Sequence, residues 1–142
     1  MTRILYDGAA VHELLTSPTG PMGVYMIERG EMVKNFAKAN IREMTEAHTG
    51  CLLDSVVKRF AADGPILSII VQSDTSPCSV DHSSYSLVVH QGSRPHLIQA
   101  KPGGVLAFPI GGQTVFATSV HHPGTAPRPF LRLALEQLAA SE

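Results

Sequence analysis

The sequence has no tryptophan, two cysteines, 6% aromatic and 16% charged residues. Each scarcity excludes something. No apolar run approaches the ~18–20 residues that carry a helix across a bilayer, and no signal peptide is evident at the start. The expectation is a soluble chain made in the cytoplasm. Cys51 and Cys78 form no CxxC pair, which removes the zinc-ribbon and thioredoxin-type motifs. Two unpaired buried thiols are expected rather than a disulfide. Basic residues are not in surplus, since the formal net charge is −1, and non-specific nucleic-acid binding rests on such a surplus. Charged residues also fall below the usual ~25%, leaving more neutral surface than a solitary protein favours.

What is present is 44% hydrophobic residues in a 142-residue chain, enough for one domain spanning 1–142 with its own core. A short helix is predicted over Gly8–Leu15, ended by Pro18, Gly20 and Pro21. From Met22 to Ala47 there is no proline. Ile27, Val33, Ala37, Ile41 and Met44 fall on one stripe with Phe36 beside it, and Gly50 is the expected stop. Residues 52–62 read equally as helix or strand, although Asp63–Gly64 is a hairpin signal and Ile66–Val71 is β-rich. After Pro77 the runs Tyr85–His90, His96–Ala100, Gly104–Pro109 and Thr114–Val120 are predicted strands, punctuated by Gly and Pro. A last helix spans Pro129–Ala140, with Pro129 in the first helical position and Arg128 outside it. Its buried face is Phe130, Leu131, Ala134, Leu135 and Leu138. The class is α+β: a long amphipathic N-terminal helix, a central and mainly antiparallel sheet, and a C-terminal helix packed on the sheet.

Chemistry-bearing patterns are weak. His82, His90, His96, His121 and His122 crowd the β half, but their spacing matches no HExxH motif. Neighbours on a strand point to opposite faces, so His121 and His122 do not readily chelate one ion. His48 and Cys51 stand near each other in sequence without a nucleophile motif, and no GxSxG occurs. Asp54, Asp63, Asp74 and Asp81 lie near turns without pairing. "IGGQT" lacks the lysine of a phosphate loop. No catalytic residue, metal or cofactor is expected. His122–Pro123–Gly124–Thr125 is turn chemistry that redirects the chain toward the last helix.

Two blocks then acquire a further meaning. "YSLVVHQGSRPHLIQAK" is similar to a pattern Tyr–Ala–x–Tyr–Val–Glu–x–Gly–Thr–x–Pro–His–x–Ile, matched at Tyr85, Val89, Gly92, Pro95, His96 and Ile98, with His90 in the acidic place. "VLAFPIGGQTVFATSVHHPGTAPRPFLRLAL" is similar to Val–x–His–Pro–Gly–Thr followed by Pro–Phe–Leu–Arg–Pro–Ala–Leu. It is matched at Val120, His122, Pro123, Gly124, Thr125, Pro129, Phe130 and Leu131, with Leu133 where proline is common. Over residues 49–138 the chain resembles the tail-completion, or head–tail joining, proteins of long-tailed bacteriophages. Thr49–Gly50–x–Leu52 resembles that family's approach to its first strand. The resemblance implies a strand over Ser55–Ala62 paired with Ile66–Ser73.

It also implies a non-enzymatic virion protein of the phage neck. Such a protein forms a homo-oligomeric ring, commonly a hexamer, between a head-side connector or stopper and a tail terminator or tail tube. DNA passes through the ring as cargo, and no membrane is involved. Ring closure needs two different complementary patches on each subunit, and open strand edges are templates for a neighbour. His96 and His122 are expected to bond backbone near the turns. Three other readings stand beside this one: a tail terminator of the same neck, a small metal-dependent hydrolase using His90, His96, His121 or His122, and a bacterial adaptor domain.

Overall fold

The computed structural model describes residues 7–44, 50–63, 66–75 and 85–141. His48, Thr49, Gly64, Cys78, Asp81 and His82, and the expected end of the long helix at Ala47, lie outside the described residues. Helix α1 (Gly8–Thr16) begins at Asp7, whose carboxylate accepts the Ala9 and Ala10 amides at 2.9 and 3.3 Å. Those donors would otherwise have no partner in the first turn. Helix α2 (Pro21–Met44) buries Val33, Ala37 and Ile41 of the predicted stripe, and adds Asn40.

A short helix α3 (Cys51–Asp54) follows Gly50. Next come β1 (Val56–Asp63) and β2 (Ile66–Ser73), antiparallel with Val56 opposite Ser73 and Phe60 opposite Ile69. The ambiguity over residues 52–62 thus resolves into one helical turn and then a strand. Ser55 and Ser73 hydroxyls meet at 2.7 Å where the strands begin and end. Glu31 of α2 grips Lys58 of β1 at 2.7 Å and Lys34 on its own helix at 2.5 Å. Hydrogen bonds from Lys34 and then Lys58 hold the Glu31 carboxyl below its ordinary range. A depressed carboxylate stabilises the fold above the ordinary glutamate range, and that contribution fades as pH falls through the lowered value. All three side chains are only half-buried, and solvent screening keeps it small. Cys51 is disulfide-bonded, which corrects the expectation of a free thiol there.

Tyr85–His90 is not a strand, as its valines suggested. Ser86–Gln91 forms helix α4. The reason is capping from both ends. The buried Thr75 hydroxyl accepts the Tyr85 and Ser86 amides at 2.8 and 3.1 Å, supplying from ten residues away what a helix start requires. At the other end Gly92, at φ 76°, returns its amide to the Val88 carbonyl at 2.8 Å. Two caps override the β-propensity of Val88 and Val89.

The remaining strands are β3 (His96–Gln99), β4 (Leu106–Ile110), β5 (Gln113–Ala117) and β6 (Ser119–His122). They pair antiparallel as β3–β6 and β4–β5. The predicted single strand Thr114–Val120 is therefore two, because the chain changes partner at Thr118, whose carbonyl takes the Ala100 amide at 2.9 Å. Helix α5 (Phe130–Ala140) closes the order. Pro129 caps it rather than opening it, and its carbonyl accepts the Leu133 amide at 3.0 Å. Phe130 and Ala134 are buried as expected, but Leu135 is 58% exposed, contrary to its place on the predicted buried face.

The α+β class holds, with a long N-terminal helix, antiparallel strands and a C-terminal helix. The chain forms two compact units, Met1–Ser86 with Pro129–Glu142, and Leu87–Arg128. In the first, α5 lies on α2 with Ala37 and Ala134 fully buried, and small side chains allow the helices to approach closely. Asn40 sits in this seam, 4% exposed. Its amide donates to the Phe130 carbonyl and to Gln137 Oε1, each at 3.2 Å, and its oxygen accepts from Gln137 Nε2 at 3.2 Å.

Asn40→Ala removes three bonds from a buried site and is expected to cost about 1–3 kcal/mol. Gln137→Ala, on an exposed side chain that water replaces, is expected to cost less. Thermal melts check the ranking: several degrees lost for the first and fewer for the second. Equal losses would contradict the seam.

Candidate functional site

The two sequence blocks that carried the family resemblance meet in the Leu87–Arg128 unit. Ser93 and Thr125 exchange both backbone hydrogen bonds at 3.0 Å, forming an isolated antiparallel bridge. Gly92 and Gly124 flank it, at φ 76° and 90°. Each is a glycine for two reasons. A side chain resists that φ, and its Cβ would stand 2.5 Å from the Thr125 oxygen or the Ser93 oxygen respectively. The bridge is thus two backbones crossing where only hydrogen atoms fit. The Arg128 amide then bonds the Val89 carbonyl at 2.9 Å, fastening the end of the second block to the helix of the first.

Beyond the bridge, β3 and β6 run in register, with His96 opposite His122 and Ile98 opposite Val120. The two imidazoles lie with ring centroids 5.0 Å apart and planes tilted by 33°. Their backbone bonds are of opposite sense. His96 Nδ1 faces the Arg94 carbonyl at 2.9 Å, and a carbonyl only accepts, so this nitrogen carries hydrogen. His122 Nδ1 receives the Gly124 amide at 3.0 Å, so it is the bare nitrogen. Both histidines bond backbone beside the turns, as expected, and His122 acts as the acceptor that shapes the Pro123–Gly124 turn. This is the geometry that Asn or Asp supplies in an Asx turn.

Of the other matched residues, Pro95 and Ile98 are exposed, Tyr85 is half-buried, Phe130 is buried, and Pro129 and Leu131 are half-buried. Tyr85, Pro129, Phe130 and Leu131 belong to the first unit. His121 points away from His122, across from Leu97, and is exposed. Among the described residues no group of three His, Cys, Asp or Glu side chains is placed to hold a metal ion. Among them, too, no helix is long and apolar enough to cross a membrane.

Sequence patterns did not single out two further surfaces. The first is the β4–β5 hairpin, turned at Gly111–Gly112. Opposed residues share a face, so Leu106, Phe108, Ile110, Val115 and Ala117 line one side with Gln113, and Ala107, Pro109 and Phe116 the other with Thr114. Phe116 is 65% and Ile110 58% exposed. None of the residues from Leu87 to Arg128, all of them described, is buried. The second surface is a groove of about 570 Å³ in the first unit, between α2, β2 and α5. Tyr25, Arg29, Ile70, Leu131, Leu135 and Leu138 are among its lining residues, and the Arg29 guanidinium lies 4.9 Å over the Tyr25 ring.

No family model, no curated protein and no solved structure matches this chain.

Gly124→Ala is expected to cost about 1–3 kcal/mol through the strained φ and the contact with the Ser93 oxygen. His122→Ala is expected to release the Gly124 amide, whereas His122→Asn keeps an acceptor in reach of it. Amide hydrogen exchange at Ser93, Gly124 and Thr125 checks both: protection falls for Gly124→Ala and His122→Ala and persists for His122→Asn. Unaltered protection in His122→Ala would show that the imidazole does not hold the turn.

Proposed function

We propose that this chain is a structural, non-enzymatic component of the neck of a long-tailed bacteriophage. It assembles with copies of itself into a closed ring, six-fold as the sequence resemblance implies. The ring joins the head-side connector or stopper to the tail terminator or tail tube and lets DNA through. Its place is the head–tail junction of the virion.

The observation that carries this reading is the character of Leu87–Arg128. The unit is defined by backbone crossings and short ladders, yet none of its residues is more than half-buried. A lone two-stranded hairpin is marginal in water, and its apolar faces call for a cover. An assembly subunit supplies that cover from a neighbour. The histidines support the same reading, since His96 and His122 are occupied in holding turns. The first unit provides the rigid counterpart, through a helix seam and a strand pair tied by the Glu31–Lys58 bridge.

Mass photometry of the purified protein tests the ring. The expected result is one closed species of fixed subunit number, persisting on dilution and showing rotational symmetry by electron microscopy. A monomer at every concentration would contradict it.

A further inference from the structure

We infer that the β4–β5 hairpin of one copy seats in the α2–β2–α5 groove of a second copy, so that each subunit gives a hairpin to one neighbour and receives one from the other. This rests on the ring reading and specifies the contact that would build it.

The hairpin is mainly apolar on both faces, with Gln113 and Thr114 near its turn as the polar exceptions, and no charged residue occurs from Pro102 to Val120. Natural edge strands are usually protected by charge or by proline. Here charge is missing, and Pro109 removes a donor along β4, which disfavours strand-to-strand addition on that edge. The surface is therefore suited to burial of side chains in an apolar recess. The groove is such a recess. Exposed Leu135, Ile70 and Tyr25 face into a concavity large enough for several aliphatic or aromatic side chains.

Charge distribution selects a second copy as the occupant. Arg94, Lys101 and Arg128 are the charged residues of Leu87–Arg128, which has no Asp or Glu. The whole chain has 11 basic and 12 acidic residues, so the remainder carries an excess of four negative charges. A near-neutral chain is thus a basic unit joined to an acidic one. Copies stacked with the basic unit of one against the acidic unit of the next are attracted, whereas like units are repelled. Hairpin and groove are different surfaces, so the contact is heterologous, and such contacts propagate until rotation closes them.

Two variants test this. Phe116→Asp disables the hairpin and leaves the groove intact, while Leu135→Asp does the reverse. Both positions are exposed, 65% and 58%, so each variant is expected to keep the far-ultraviolet circular dichroism of the native chain, while its melting point falls by whatever assembly contributes. Each variant alone is expected to be monomeric by native mass spectrometry. Their equimolar mixture is expected to form a 1:1 dimer and no larger species, because one competent hairpin and one competent groove remain. Leu135→Asp assembling like the native protein while Phe116→Asp does not would overturn the groove as the receiving surface and point to hairpins meeting each other or another partner. Both variants assembling normally, or a mixture that stays monomeric, would also overturn it while leaving the ring itself standing. A native chain that never self-associates would instead remove the ring reading beneath it.

Discussion

The seam between α2 and α5 is the constraint on which the chain's organisation depends. Asn40 reaches Phe130 and Gln137 across 90 and 97 residues of sequence, and Ala37 and Ala134 let the helices close around that contact. Pinning the last helix to the first long one makes everything from Leu87 to Arg128 an insertion that leaves one compact unit and returns to it. The cost of closing so long a loop is offset by an apolar seam with a satisfied polar group inside it. The insertion in turn is closed at its own base by the Ser93–Thr125 bridge and by the Arg128–Val89 bond.

That arrangement separates the buried residues from the exposed ones. The first unit holds the buried residues Val33, Ala37, Ile41, Val56, Phe130 and Ala134. The second spends its residues on backbone geometry, with glycines at the crossing and imidazoles on the turns, and leaves Leu97, Val105, Ile110 and Phe116 exposed. Charge is segregated as well, since Leu87–Arg128 has no acidic residue and the remainder carries them all.

Legibility in the sequence followed how local the deciding forces are. The stripe of α2 and the start of α5 were readable because an amphipathic period and a proline act within a turn or two. The β1–β2 pair followed from a β-rich run, a hairpin signal and the family resemblance together. The helix α4 was not readable. Its β-branched residues favour a strand, and the hydroxyl that caps it comes from Thr75, which no local window connects to Ser86. The split of Thr114–Val120 at Thr118 was hidden for the same reason, since a change of strand partner leaves no mark on residue type. The meeting of the two motif blocks was only half visible. Their glycines and His–Pro–Gly turn were conspicuous, but their crossing is a tertiary fact. Leu135 counted as core by periodicity, yet it borders a groove, because periodicity reports which face is apolar and not what covers it. One sequence signal for the exposed unit was available, namely the absence of any acidic residue between Leu87 and Arg128.

The central claim is that this chain is a ring at the junction of head and tail. Electron cryomicroscopy of intact particles produced from the genome that encodes it tests this most directly. The account predicts density at the collar that fits the α2–α5 body, repeated by rotation around the DNA channel, with a hairpin reaching from each copy to the next. Particles in which the chain is absent from the collar, or lies there as isolated copies without rotational repetition, would contradict it.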